Sequence, residues 1–273
     1  MRSLLYVPAH SDRFTAKAHE RGADAIILDL EDSVPEEAKD LARDGLLEVV
    51  PAVGRGGAKV LVRINGGARQ MEDAIAACRA GADALYVPKV ESPETLAALA
   101  ERLEREEAQS GRGETQLVAL IEDIGAVLDA RSIARGPRLI ALSLGGEDLA
   151  LGLGAQPTPD VLRMPKLLVH YAAKERGLLS FGLLRSVADY SDRARIEVAA
   201  AEARDHGFDG ATCVHPSVVP LLNAAFSPSA EQRLWAERVL KAGESAKGAF
   251  QLDGQMIDAP ILARARAILD RTS

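Results

Sequence analysis

The chain is poor in the residues that commit a protein to disulfide, zinc, membrane or polyanion chemistry. Only two cysteines, Cys78 and Cys213, occur in 273 residues. They lie far apart in apolar surroundings and form no CxxC pair, which signals neither a disulfide framework nor a zinc site and fits a reduced compartment. No window approaches the unbroken apolar run of about 20 residues that a membrane helix needs. Basic charge is in deficit: 33 Lys and Arg against 40 Asp and Glu give a formal charge of −7 and a pI near 5.4. Such a field repels nucleic acid, while small anions can still be held where basic residues converge. Residues Arg2 to Pro8 enter a strand-like run without the basic, apolar and small-residue order of a secretory signal, so a cytoplasmic location is expected. With 47% hydrophobic and 27% charged residues the composition is globular, and the length suits one large α/β domain or two small ones.

Short apolar runs of strand length alternate with helical-period segments, the pattern of repeated βα units in a parallel sheet. Strands are predicted at 4–8, 25–30, 60–64, 84–88, 117–121, 139–144, 178–184 and 211–214. Amphipathic stretches at 36–50, 70–80, 93–108, 124–134, 161–176 and 193–206 are each long enough to cross over a sheet. Eight alternating units favour a closed (β/α)8 TIM barrel over an open sheet. Arg21-Gly22-Ala23-Asp24-Ala25, Ala80-Gly81-Ala82-Asp83-Ala84 and His206-Gly207-Phe208-Asp209-Gly210 each precede a strand. Their glycines are placed for the left-handed turn that ends a helix. The barrel is expected over 1–226. A C-terminal helical extension over 227–273, with helices at 231–246 and 261–269, is too short for its own domain and can pack on the barrel or on a neighbouring subunit. The acidic stretch 101–107 reads as a solvated helix face. Gly54-Arg55-Gly56-Gly57 precedes a strand instead of following one, so it fails as a dinucleotide fingerprint and reads as a loop.

In such barrels the chemistry sits at the C-terminal ends of the strands. Reading just past each strand gives Asp29, Glu31 and Asp32; Arg63 and Asn65; Lys89 and Glu91; Glu122 and Asp123; Glu147 and Asp148; and His215. Glu122 and Asp148 follow adjacent strands and can face one point, two hard oxygen donors of the kind Mg²⁺ accepts. The alternative is that these acids pair with Arg63 or Lys89. Arg63 offers a planar fork for a carboxylate or a developing oxyanion, or else forms a buried ion pair with Asp29 or Glu31. Lys89 is open to a Schiff-base role or to an ordinary pair with Glu91 or Glu31.

A set of motifs then runs almost end to end. It comprises Leu5-Tyr6-Val7-Pro8 with Arg13 and Lys17, Leu28-Asp29-Leu30-Glu31-Asp32-Ser33-Val34 with Lys39, Val62-Arg63-Ile64-Asn65, and Val87-Pro88-Lys89-Val90-Glu91-Ser92. It continues through Glu122 with Gly125, Gly145-Gly146-Glu147-Asp148-Leu149, Gly207-Phe208-Asp209-Gly210, His215-Pro216-Ser217, Phe226-Ser227-Pro228-Ser229 and Gly248-Ala249-Phe250 to Gly254-Gln255-Met256-Ile257-Asp258. In this order the motifs resemble the citrate lyase beta-subunit-like branch of the HpcH/HpaI aldolase family. The resemblance implies that Glu122 and Asp148 hold Mg²⁺, that Arg63 binds the acid or oxo-acid portion and is catalytic, that Glu122 also contacts the substrate, and that Tyr6, Arg13, Lys17 and His215 line the thioester and substrate path. It further implies that Asp258 is catalytic and is delivered by the C-terminal segment of a neighbouring subunit, in a trimer or hexamer. On the residues alone Asp258 is the N-cap of the last helix, because Asp-x-Pro starts a helix well.

The implied activity is cleavage of a 3-hydroxyacyl thioester of malyl-CoA, citramalyl-CoA or citryl-CoA type to acetyl-CoA and an oxo acid. The thioester carrier is coenzyme A or an acyl carrier protein. Alternatives are a class II pyruvate aldolase without a thioester, a Schiff-base aldolase through Lys89, and a citrate lyase beta subunit that needs partners. The chain departs from many relatives at Asp123-Ile124, at Met164-Pro165-Lys166 and at Phe181-Gly182, which leaves the identity of the acid open.

Overall fold

The computed structural model describes residues 1–184, 191–246 and 248–270. Its contacts divide the chain into a barrel unit, Met1–Asn223, and a C-terminal unit, Ala224–Ser273. The barrel unit holds eight parallel strands: β1 (Ser3–Pro8), β2 (Ala25–Asp29), β3 (Lys59–Arg63), β4 (Ala84–Val87), β5 (Gln116–Ile121), β6 (Leu139–Leu144), β7 (Leu179–Phe181) and β8 (Ala211–Cys213). They neighbour one another in the order β7-β6-β5-β4-β3-β2-β1-β8. A parallel bridge between Phe181 and Gly210 joins the two ends, where the Gly182 N–H donates to the Gly210 carbonyl at 2.9 Å. The fold is therefore a (β/α)8 TIM barrel, as the eight alternating units predict.

Side chains alternate across each strand, so every second residue points into the barrel. Leu4 on β1, Ala25 and Ile27 on β2, Leu61 on β3, Ala84 and Tyr86 on β4, Val118 and Leu120 on β5, Ala141 on β6 and Phe181 on β7 form one buried interior cluster. The intervening residues, such as Ile26, Leu28, Val60, Val62, Leu85 and Ala119, are equally buried beneath the surrounding helices. Burial on both faces explains why the strands read as continuous apolar runs.

The three Gly-x-Asp turns share one device. Gly22, Gly81 and Gly207 have φ of 69°, 83° and 93°, which lets the chain leave a helix and re-enter the sheet at Ala25, Ala84 and Ala211. The aspartate of each turn then accepts a backbone N–H from the beginning of the preceding strand: Arg2 to Asp24 at 2.7 Å, Val60 to Asp83 at 2.8 Å and Ser180 to Asp209 at 2.8 Å. These carboxylates clamp strand starts to one another at the N-terminal rim.

Several elements differ from expectation. The stretch at 36–50 divides at Gly45 into helices Lys39–Asp44 and Leu46–Gly54, and that at 124–134 divides at Asp129 into Ile124–Leu128 and Ala130–Ile133. β7 is shorter than predicted because Gly182 leaves the strand with φ of 154°. The acidic stretch is not a solvated face throughout. Glu106 and Glu107 are buried, Glu106 accepting from Arg79 at 2.6 Å and Glu107 from Arg138 at 2.6 Å and from the Thr115 N–H at 2.6 Å. Compensation by arginine makes their burial tolerable.

Within the C-terminal unit, helix Ala230–Gly243 starts in a capping box between Ser229 and Gln232. A two-stranded hairpin follows, Phe250–Leu252 paired with Gln255–Ile257, and then helix Ala259–Asp270. Ala236, Val239, Ile257 and Ala265 form its core, and the Arg264 guanidinium lies 4.7 Å from the centroid of the Trp235 ring. Among the described residues no helix is long and apolar enough to cross a membrane.

Candidate metal and substrate site

The inward stripe that fills the barrel turns polar in its last layer. Ala25 and Ile27 lead to Asp29, Leu61 to Arg63, Val118 and Leu120 to Glu122, and Ala141 to Ser143, each two residues on and facing the same interior. These residues line a cavity of about 580 Å³ together with Tyr6, Tyr86, Gly145, Glu147, Asp148 and Thr212. Alternation thus carries charged groups to the C-terminal mouth on strands whose lower layers are held by apolar packing.

Arg63 is the hub of the β2–β3 side. Its Nε and Nη2 donate to the two oxygens of Asp29 at 2.6 and 2.7 Å, while Nη1 donates to Asp32 at 2.8 Å and lies 3.2 Å from Glu31. The guanidinium carbon stands 5.0 Å from the centroid of the Tyr6 ring. Burial alone would raise the Asp29 carboxyl, but the Arg63 hydrogen bonds and charge, with N–H donors from Ser33 and Glu31, hold it below the usual carboxylate range. Burial pushes the Glu31 carboxyl up, against the pull of Arg63. The loop carrying Glu31 is tied down by Lys39, whose ammonium donates to the Leu30 and Glu31 carbonyls at 3.3 and 3.0 Å and to the Asn65 amide oxygen. Asn65 is itself fixed by two bonds to Asp73, at 2.9 and 2.7 Å. Lys39 and Asn65 therefore act as scaffold.

On the adjoining β4–β5 side Glu122 is held by backbone. The Lys89 N–H donates to its Oε2 at 2.8 Å, an orientation obtained by placing Lys89 at φ 50°, which side-chain-bearing residues rarely adopt. Gly145 completes the cradle. A Cβ there would lie 2.6 Å from Glu122 Oε1 and 2.7 Å from Cγ, so only glycine leaves room for this rotamer. Burial, reinforced by the charges of Glu31 and Asp148 and resisted by the Lys89 N–H, pushes the Glu122 carboxyl up to about 7. Asp148 stands beside it, exposed, in the first turn of helix Gly146–Gly152. The expected alternative partners of Glu122 are not used: its hydrogen bond comes from the Lys89 amide, while the Lys89 ammonium lies 3.7 Å from Glu31. No group of three or more His, Cys, Asp and Glu converges as a metal cage among the described residues. A pair of carboxylates with an open mouth fits a hard cation that keeps several water or substrate ligands.

Tyr6, Arg63, Glu122 and Asp148 are thus brought together, whereas Arg13, Lys17 and His215 are not among the residues lining this cavity. Arg13 is exposed and rests on Phe14, with 5.4 Å between guanidinium carbon and ring centroid. His215 Nδ1 accepts the Ser217 N–H at 3.2 Å and caps the turn Pro216–Val218. In the C-terminal unit, Asp258 Oδ1 accepts the Ile261 N–H at 3.3 Å, the capping contact of the last helix. Asp123 caps helix Ile124–Leu128 through the Gly125 and Ala126 N–H groups at 2.7 and 3.2 Å. Sequence reasoning misses the cradle role of Gly145. The signal that could have found it is the run Gly145-Gly146 directly before Glu147 and Asp148, since glycine at a strand end often marks a close approach of backbone to another group.

The model of the family described as HpcH/HpaI aldolase/citrate lyase matches residues 2–216. The chain belongs to this family. It is 34% identical, over 98% of its length and 94% of the relative's, to a citrate lyase subunit beta-like protein of Mycobacterium tuberculosis. It is also 33% identical to a (3S)-malyl-CoA thioesterase of Cereibacter sphaeroides, with 98% and 93% of the two chains covered. A crystal structure of the Mycobacterium tuberculosis protein CitE in complex with magnesium, acetoacetate and coenzyme A superposes with a TM-score of 0.80 at 32% identity, covering 99% of each chain.

Gly145→Ala is expected to displace the Glu122 carboxylate and weaken divalent-cation binding about 10- to 100-fold, the range for disturbing what orients a ligand; an unchanged affinity by calorimetry would contradict the cradle. A carboxyl whose folded pKa lies above its unfolded value costs the folded state stability once the pH exceeds the unfolded value, and the cost is complete above the folded one. In chelator, the thermal-stability advantage of Glu122→Gln over wild type should therefore widen from about pH 5 to about pH 8. A gap independent of pH would show that Glu122 is not held in this way.

Proposed function

We propose that the protein is a Mg²⁺-dependent carbon–carbon lyase cleaving a 3-hydroxyacyl thioester of the malyl-CoA, citramalyl-CoA or citryl-CoA kind to acetyl-CoA and an oxo acid, with the reverse condensation open to the same site. The observation that carries this reading is the Glu122–Asp148 pair: two carboxylates side by side at the barrel mouth, one of them pushed up by burial and by the other's charge. Hard oxygen donors beside an open cavity suit Mg²⁺, and the similarity to CitE, crystallised with magnesium and coenzyme A, supports the same assignment. When bound there, Mg²⁺ would polarise oxygens of the hydroxy or oxo acid.

The chain's own residues orient and move charge. Lys89 and Gly145 hold Glu122 in place. Arg63 keeps two donors on Asp29, and its Nη1 edge is shared between the buried Glu31 and the exposed Asp32, of which only Asp32 is free to swing away into solvent. A substrate carboxylate exchanging with Asp32 would dock on that edge in a fork geometry. In cleavage the 3-hydroxyl loses its proton to solvent as the C2–C3 bond breaks and the oxo acid's carbonyl forms, and the Asp258 carboxyl gives a proton to the α-carbon of the departing thioester enolate. In the reverse direction the Asp258 carboxylate removes the α-proton and the new alkoxide takes one up. For this the C-terminal unit packs on a neighbouring subunit of a trimer or hexamer, while Arg13, Lys17 and His215 flank the path of the thioester arm. A cytoplasmic location accords with these substrates.

The likeness to a (3S)-malyl-CoA thioesterase favours a second reading, hydrolysis of the thioester by water at the same cavity. The purified protein assayed with Mg²⁺ and the three thioesters separates them. Release of oxo acid with acetyl-CoA, lost in chelator and in Glu122→Gln and reduced about 10²- to 10⁴-fold in a folded Asp258→Ala variant, is the expected result. Free thiol without oxo acid would replace the lyase by a thioesterase, and no turnover would favour a subunit dependent on a carrier protein.

A further inference from the structure

A second cavity, of about 330 Å³, opens beside the Glu122–Asp148 mouth and shares Ser143, Leu144, Gly146, Glu147, Thr212 and Val214 with it. Its remaining walls are mostly apolar, built largely by Leu162, Val169, Phe181, Ile196 and Phe208, with Ser180 and Lys166 among them. One basic side chain among the described residues enters. Leu162, Lys166 and Val169 stand at i, i+4 and i+7 on helix Pro159–Glu175, the spacing of a single helix face, so Lys166 projects with the two apolar residues.

The Lys166 ammonium donates to the Leu183 carbonyl at 2.7 Å. That uses one of its three N–H donors. It forms no ion pair within 4.0 Å among the described residues, and Glu147, at the shared rim, acts on it only through space. Burial pulls its pKa down to about 8, so the group is still mainly charged at neutral pH. A charged ammonium against apolar walls is unfavourable unless an anion meets it. Among the described residues the one opposite charge acting on it is that of Glu147, which makes no direct ion pair, whereas a ligand reaching in from the mouth supplies an anion in contact.

We propose that this cavity is a subsite for the aliphatic chain of a linear oxo or hydroxy acid that ends in a second carboxylate, and that Lys166 selects such acids by receiving that distal carboxylate. The acid's reacting end lies at the Glu122–Asp148 mouth, a placement that rests on the function proposed above. The cavity favours acids longer than glyoxylate or pyruvate, whose short skeletons carry no distal carboxylate to Lys166.

Two six-carbon acids that differ only at the far end, 2-oxoadipate and 2-oxohexanoate, make the test. Calorimetry with and without Mg²⁺ is run on the wild type and on Lys166→Met, whose folding is checked by circular dichroism. The wild type should bind 2-oxoadipate about tenfold more tightly than 2-oxohexanoate, in keeping with a hydrogen-bonded charge pair. In Lys166→Met the preference should vanish or reverse. Discrimination that survives in Lys166→Met, equal binding of the two acids by wild type, or binding of neither overturns the subsite. Discrimination that depends on Lys166 but is indifferent to Mg²⁺ keeps the subsite and rejects the metal reading of the mouth.

Discussion

The arrangement of the site depends on one constraint: every second residue of eight parallel strands must point into the same closed interior. Through the lower layers that interior is filled by Leu4, Ile27, Leu61, Val118 and Ala141, residues that ask nothing of their neighbours but volume. In the last layer the same alternation delivers Asp29, Arg63 and Glu122 into a space walled by protein. Groups placed there must compensate one another or be compensated by a ligand. Arg63 and Asp29 do the first, through a bidentate pair that Ser33 and Glu31 reinforce.

Glu122 and Asp148 do not compensate one another. The backbone gives up conformational freedom at Lys89 and side-chain volume at Gly145 to hold Glu122 in a position where its charge is unfavourable. Strain and an uncompensated charge at one point, on an otherwise well-satisfied barrel, are the pattern of a binding centre, since stability alone would favour neither. Lys166 repeats the pattern with the opposite sign next door. On the proposed reading, a mouth that attracts a cation and a chamber whose ammonium has no ion-pair partner among the described residues together suit a substrate with oxygens at one end and an anion at the other.

Much of this was legible in the sequence because alternation and turn chemistry are local. The eight apolar runs and the Gly-x-Asp turns locate the barrel, and reading past each strand finds Asp29, Arg63, Glu122 and Asp148. What the sequence withheld depends on three-dimensional neighbours. The burial of Glu106 and Glu107 follows from Arg79 and Arg138 coming from other elements. The cradle at Gly145 and the chamber at Lys166 arise from packing between βα units, to which no spacing rule refers. The hairpin of the C-terminal unit is a different case. Its Asp253-Gly254 turn, with φ of 50° and 80°, is a signal that sequence carries, but each flanking strand has only three residues and shows too little alternation to be recognised.

The central claim, that Glu122 and Asp148 share a divalent cation, is tested most directly by anomalous diffraction from crystals grown with Mn²⁺ in place of Mg²⁺. The account predicts one ordered ion in contact with both carboxylates, absent from crystals of Glu122→Gln. An ion seated instead on Glu31 and Asp32, with no ion on Glu122 and Asp148, would contradict it.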